Sequence, residues 1–267
     1  MPHKKAPSLK AVKIKEPKII LTGGLIKQTL DIYRANWQKF GTLLIIPLTL
    51  SALSSLLFYL VRIFAADFSA PLLFALFFLF FIWMIINGIL FVSAGIAQLL
   101  LVSDLKHSVQ FGNLAQWLRR ALALFWPALF VSVIYFIFMI LGLIFLVIPG
   151  IMVMIYFCFA VYKVVLDGSD VEESFGQSRQ LVRGYFWAVF GRLLLGCLLI
   201  WLIYLLVAAV FSLAGWLISY LPLLHLGKDL GALLYSVLGI FIGLVVGPLS
   251  IIYTYNIFKS LSAVKTK

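Results

Sequence analysis

The sequence predicts an all-α fold: a polytopic transmembrane helical bundle, six spans arranged as three hairpins, each preceded by an amphipathic interfacial helix. Three observations lead there. Hydrophobic residues make up 64% of the chain and charged residues only 11%, where a soluble domain carries about 25% charged. No soluble core absorbs such an excess, so lipid must be part of the solvent. The apolar residues gather in runs of span length, separated by short segments that hold nearly all the charge. Finally, of 21 Lys and Arg residues only Arg62 and Lys228 fall near the loops on one side, leaving 19 on the side of both termini. By the positive-inside rule that side is the cytoplasm.

The elements follow in order. Residues 1–22 are a basic tail bearing Lys4, Lys5, Lys10, Lys13, Lys15 and Lys18, expected to be disordered. No apolar stretch with a small-residue cleavage site follows, so the tail does not read as a signal peptide. A membrane domain over 23–260 and a cytoplasmic tail over 261–267 complete the division. Within the domain, residues 24–40 predict an amphipathic helix lying in the interface plane, with Ile26, Leu30, Tyr33, Trp37 and Phe40 on its apolar face. Span 1 is expected over 42–65, with Ser51 and Ser55 as a small-residue contact face. Span 2 covers 72–101. A second surface helix lies within 103–124, with Asn113 as its cap and Leu114, Trp117, Leu118, Ala121 and Leu122 as its apolar face. Span 3 covers 125–147.

A single helix over 125–166 would run roughly 60 Å, about twice the hydrocarbon thickness. Ile148-Pro149-Gly150 therefore predicts a tight hairpin: Pro149 suits a first helical turn and Gly150 tolerates tight backbone. Span 4 is then 150–166. Ser169-x-x-Glu172 predicts a capping box that opens a third surface helix, with Gly184 as its C′ residue. Span 5 covers 190–220 and span 6 covers 230–258. Gly239, Gly243 and Gly247 place small residues on one face of span 6, a packing face inside the bundle or, alternatively, at a dimer contact. A weak internal repeat, W-x-x-F-G-x-L-L, starts at Trp37 and again at Trp187, and Ala115-Gln116-Trp117 echoes Ala35-Asn36-Trp37.

Ile148-Pro149-Gly150, followed by Glu173, Ser178, Leu181, Gly184 and Trp187, resembles an I-P-G turn and an E-A-x-x-x-S-x-x-L-x-x-G-x-x-W helix. These belong to a family of bacterial and archaeal six-span proteins of unknown function. It includes the YciC-like proteins and the membrane domain fused to some glycerophosphodiester phosphodiesterases. Ser174 stands where that family usually has Ala, and the resemblance extends more diffusely to Pro248 and Tyr255 in span 6. It implies the fold and a multi-pass location in a prokaryotic plasma membrane. It implies no reaction, because the membrane domain is not the catalytic part of the fused enzymes.

The chemistry-bearing residues point the same way. None of the nine acidic residues lies deep in a span, which leaves no proton relay of the usual type. His3, His107 and His225 are scattered, and Cys158 and Cys197 sit inside apolar runs as small hydrophobes. No catalytic residue, cofactor or metal site is expected, and the protein does not read as an enzyme. Lys163, inside span 4, either snorkels to the headgroups or contacts a substrate anion. Asn87, Gln98, Ser132, Thr254 and Asn256 either line a path or, in the ordinary role, hydrogen-bond between helices. Phe77, Phe78, Phe80 and Phe81 are expected to face lipid.

The expected partner is the lipid bilayer, anionic lipids in particular, and not nucleic acid, since the charge is spread along span edges. The candidate anionic-lipid contacts are Arg119, Arg120, Arg179, Arg183 and Arg192, which with Lys27, Arg34 and Lys39 would form a partial basic collar. The alternative is that they only obey the positive-inside rule. Three functions fit: a non-enzymatic membrane protein in envelope or lipid organisation, a transporter or channel for a small or amphipathic solute, or an accessory subunit of a membrane enzyme. A water-filled cavity lined by Asn87 or Gln98 would favour transport; a solid bundle would favour the other two.

Overall fold

A computed structural model describes residues 22–64, 69–106, 114–219 and 227–265. The described elements are helices: α1 (Thr22–Phe64), α2 (Ala70–Lys106), α3 (Leu114–Ala123), α4 (Phe125–Phe145), α5 (Val147–Phe157), α6 (Ala160–Tyr162), a π-helical turn (Lys163–Asp167), α7 (Val171–Val182), α8 (Phe186–Ser219) and α9 (Gly227–Lys265). Among the described residues five stretches are long and apolar enough to cross a membrane: Pro71–Leu105, Phe125–Ile144, Val147–Asp167, Phe186–Leu213 and Ile242–Lys265. The chain is an all-α membrane bundle. The expected first span, 42–65, is the second half of α1, which runs beside α2 and α9.

The expected interfacial helix over 24–40 is not a separate element. α1 continues through it, and only Asn36 leaves helical torsions (φ −133°, ψ 17°). Its inward face is also rotated from the expected one. Leu25, Thr29 and Phe40 are buried, whereas Trp37 is 58% exposed. A threonine can face inward here because its hydroxyl is satisfied: it donates to the Leu25 carbonyl (2.8 Å) and accepts from Asn256 Nδ2 (3.1 Å). The tail expected over 1–22 lies outside the described residues except for Thr22, which begins α1. At the other end the tail expected from 261 is helical to Lys265, and Leu261 is fully buried, because α9 carries its apolar face past the expected boundary.

The hairpin forms, but the chain breaks at Leu146 (φ −170°, ψ 145°), just before Ile148-Pro149-Gly150. Pro149 then sits in the first turn of α5, where a missing N–H costs nothing. The glycine's reason is proximity rather than torsion. A Cβ at Gly150 would stand 2.6 Å from Leu143 Cδ2, and one at Gly142 would stand 2.8 Å from the Gly150 Cα. α4 and α5 approach too closely there for any side chain.

Span 4 is not one helix either. It is α5, α6 and the π turn in succession, closed by Gly168 in the left-handed region (φ 69°). α7 lacks the expected capping box. Asp170 occupies the N-cap with no side-chain bond, and the Ser169 hydroxyl donates instead to Gln177 Oε1 (2.8 Å). Gly184 does take the left-handed conformation (φ 91°) expected after the helix. Asn113 lies outside the described residues.

Proline in α9 has its own consequence. Pro248 has no N–H for the Leu244 carbonyl, and Tyr33 of α1 donates its hydroxyl to that carbonyl (3.3 Å). Burial pushes the Tyr33 phenol above its ordinary pKa, which keeps it a donor. Gly243 faces Leu48 of α1, where a Cβ would lie 2.9 Å from Leu48 Cδ2. Of the glycine face of span 6, Gly243 and, more loosely, Gly247 (3.9 Å to Leu44 Cδ1) pack inside the bundle, whereas Gly239 is exposed with nothing near it.

The buried side chains gather at one end. In α2 no described side chain before Asn87 is buried; in α4 none after Val131; in α8 the buried ones are Val189 and Gly196. The core lies where the start of α1, the end of α2, the starts of α4 and α8, the end of α9, α3 and α7 meet. This is the end of the bundle where the described chain begins at Thr22 and ends at Lys265, called the terminal end below. The distal halves of the helices expose large apolar side chains such as Phe77, Phe81, Ile144 and Leu206, as a lipid-facing surface does.

Candidate functional site

The polar and charged groups concentrate at the terminal end, and α7 organises them. Its inward face is Ser174, Ser178, Leu181 and Val182, all buried. Small polar residues on that stripe let α7 sink against the broken span 4. There the Ser178 hydroxyl accepts from the Phe159 N–H (3.2 Å) and donates to the Tyr156 carbonyl (2.8 Å). One side chain thus satisfies two backbone groups beside the break, and the Cys158 thiol donates to a third, the Ile155 carbonyl (3.1 Å). Ser174 donates to the Val171 carbonyl (2.6 Å). Phe175 closes the contact edge-on against Phe138 and Phe157, with ring centroids 6.0 and 5.4 Å away.

Two ion pairs lie at this end. Lys163 Nζ meets Asp167 Oδ2 at 2.6 Å and also lies 5.5 Å from the centre of the Phe258 ring. The two residues are four apart on one helical face. The lysine thus reaches toward the exposed end of its own span, where Asp167 holds it. Arg120 Nη1 meets Asp104 Oδ2 at 3.3 Å, with the guanidinium 5.5 Å from the Trp117 ring centre. The Tyr255 phenol lies near the Ser103 hydroxyl, on the side of Asp104 and Asp167.

The five arginines singled out from the sequence are not one cluster. Arg119 and Arg120 are exposed on α3, which packs on α2 and α4. Arg179 and Arg183 are exposed at the end of α7, which packs on α4, α5 and α9. Arg192 is half-buried in the second turn of α8, and its Nη1 is buried with no hydrogen-bond partner among the described residues. Tyr253 donates to the Arg192 carbonyl (2.8 Å). Lys27 and Arg34 are exposed, and Lys39 donates to Asn36 Oδ1 (3.3 Å).

The polar span residues divide. Asn87 donates to Ser51 (3.2 Å) and Asn256 to Thr29, each between helices. Ser132 donates within its own helix, to Ala128 (2.7 Å). Gln98 is 1% exposed, with neither amide atom bonded to a described residue. Trp83 donates to Ser54 (2.5 Å), so the small-residue contact uses Ser51 and Ser54.

Two cavities are apolar. One of about 410 Å³ opens between α1 and α2 beside Leu57, Val61, Phe77 and Trp83. The other, about 170 Å³, lies between α1, α2 and α3 beside Pro47, Ala94 and Leu118. Neither is lined by Asn87 or Gln98.

Residue reasoning missed Ser178, Thr29 and the Tyr253–Arg192 link. A signal for Ser178 existed: Ser174, Ser178 and Leu181 recur at helical spacing, and small polar residues on an inward stripe announce contact with a backbone. The Trp117 echo of Trp37 fails in three dimensions, since Trp117 is buried and Trp37 exposed. Comparison of the chain with protein-family models, curated proteins and solved structures gave no match.

Proposed function

We propose that this chain is a non-enzymatic integral membrane protein of a prokaryotic plasma membrane, with six spans and both termini in the cytoplasm. On this reading it gathers anionic lipid at its cytoplasmic end and serves in envelope or lipid organisation. The observation that carries the reading is the division of the two short helices. α3 and α7 sink one face into the core and leave Arg119, Arg179 and Arg183 exposed at the terminal end. Each basic group beside an anionic leaflet contributes about 1 kcal/mol, screened within a Debye length. The resemblance to the YciC-like family supports the same reading. Ser178, Leu181 and Gly184 of its helix motif serve packing and chain reversal, so the motif reads as one of fold rather than of reaction.

Transport is less well supported. The break in span 4 is bridged by Ser178, the Asn87 amide donates to Ser51 while its Oδ1 has no partner among the described residues, and the two cavities described above are apolar. The test is lipid co-purification from native membrane. Replacing Arg119, Arg120, Arg179 and Arg183 with Gln should reduce co-purified anionic lipid while topology stays unchanged. Equal anionic lipid on both proteins would reduce the collar to a topology signal.

A further inference from the structure

We infer that Arg192 holds the phosphate of a single membrane phospholipid, in a discrete site apart from the exposed arginines. The inference rests on the reading of the terminal end as the cytoplasmic, lipid-binding end. Its starting point is a charge without a counter-charge. Arg192 lies inside the Phe186–Leu213 stretch, is half-buried, and has Nη1 sealed from solvent with no hydrogen-bond partner among the described residues. Both ion pairs among the described residues belong to other side chains. Its electrostatic neighbour is the Tyr253 phenol, a neutral group whose proton is already committed to the Arg192 carbonyl. A guanidinium keeps its charge there. Among the described residues none supplies the counter-charge, and a phosphate at the membrane surface would.

The surroundings are built to hold that guanidinium still. A Cβ at Gly196, one turn further on, would run into the Tyr253 ring. Its absence lets Tyr253 lie against α8 and fix the turn that carries Arg192. The residue stands about 9 Å along α8 from Phe186, a depth that suits headgroups when the helix starts at the interface. Trp187, 78% exposed on the same turn region, is the kind of aromatic that sits at that level. The rest of the half-buried guanidinium, not the sealed Nη1, is what can donate to a phosphate there. Arg119, Arg179 and Arg183 differ because water can hydrate them.

The test uses native mass spectrometry of the full-length protein in mixed phosphatidylglycerol and phosphatidylcholine. Three proteins are compared: wild type, R192Q, and the quadruple variant with Arg119, Arg120, Arg179 and Arg183 replaced by Gln. Wild type and the quadruple variant should both keep a one-to-one phospholipid adduct through delipidation, and in R192Q that adduct should fall about tenfold. R192Q removes an unpaired charge, so delipidated R192Q should melt no lower than delipidated wild type. Retention of the adduct by R192Q overturns the inference. If the quadruple variant alone loses lipid, the inference fails and the collar stands; if R192Q alone loses it, the collar fails and the site stands. A lower melting point of delipidated R192Q would make the residue structural and also overturn the site. Millimolar inorganic phosphate stabilising delipidated wild type as well as phosphatidylglycerol does, and not R192Q, would overturn lipid as the source.

Discussion

The terminal and distal halves of this bundle are held together in different ways. At the terminal end, side-chain hydrogen bonds join elements far apart in sequence. Thr29 meets Asn256, Tyr33 meets Leu244, Ser178 meets the break in span 4, and Tyr253 meets Arg192. In the distal half the hairpin of α4 and α5 relies chiefly on a glycine pair and apolar contact, with a single Tyr135 bond to the Met154 carbonyl (3.2 Å) between them. The contrast follows from the solvent. Lipid gives apolar faces no reason to associate, so distal helices depend on close approach and, between α1 and α2, on the Trp83–Ser54 and Asn87–Ser51 bonds. The terminal end buries polar backbone and needs donors in the right places.

This difference can be attacked from either side. The largest effect should come from Gly150→Leu. The new side chain would meet the Leu143 backbone as well as its tip, which does not yield, and the loss should be about 3 kcal/mol. The check is the melting profile in detergent; an unchanged midpoint would mean that the hairpin is not closely packed.

Ser178→Ala should come next. It leaves the Phe159 N–H and the Tyr156 carbonyl unpaired in a buried site, at a cost of about 2 kcal/mol. Hydrogen exchange at the Phe159 amide should quicken selectively, which a general loss of packing would not produce. The smallest effect should be Phe78→Ala. Phe78 is 57% exposed on the distal half of α2, and its loss should move stability by less than about 0.5 kcal/mol. A large loss there would show the distal face to be a protein contact rather than a lipid one.

Much of the fold was legible because membrane composition and span length leave few choices. The apolar runs placed α2, α4, α8 and the hairpin at Ile148-Pro149-Gly150. Other features depended on partners distant in sequence. Pro248 announces that the Leu244 carbonyl lacks its donor, but nothing local names Tyr33, 211 residues away. Thr29 reads as polar surface until Asn256 is opposite it. Ser169 has the sequence of a cap, yet Gln177 competes for its hydroxyl. The exposed arginines of the site were legible as charges on amphipathic helices. The distinct state of Arg192 was not, because a missing counter-charge is a property of packing.

The central claim is that the tightly joined, basic end faces the cytoplasm and the lipid-exposed end faces outward. Cysteine labelling tests it directly, in a background where Cys158 and Cys197 are replaced by Ser. Ser69, Arg179 and Lys265 are all exposed, so each accepts a reporter cysteine. With an impermeant maleimide on intact cells, Ser69→Cys should be labelled. Arg179→Cys and Lys265→Cys should be labelled only after the membrane is opened. Labelling of Ser69→Cys and Lys265→Cys from the same side, or of Arg179→Cys and Lys265→Cys from opposite sides, would contradict it.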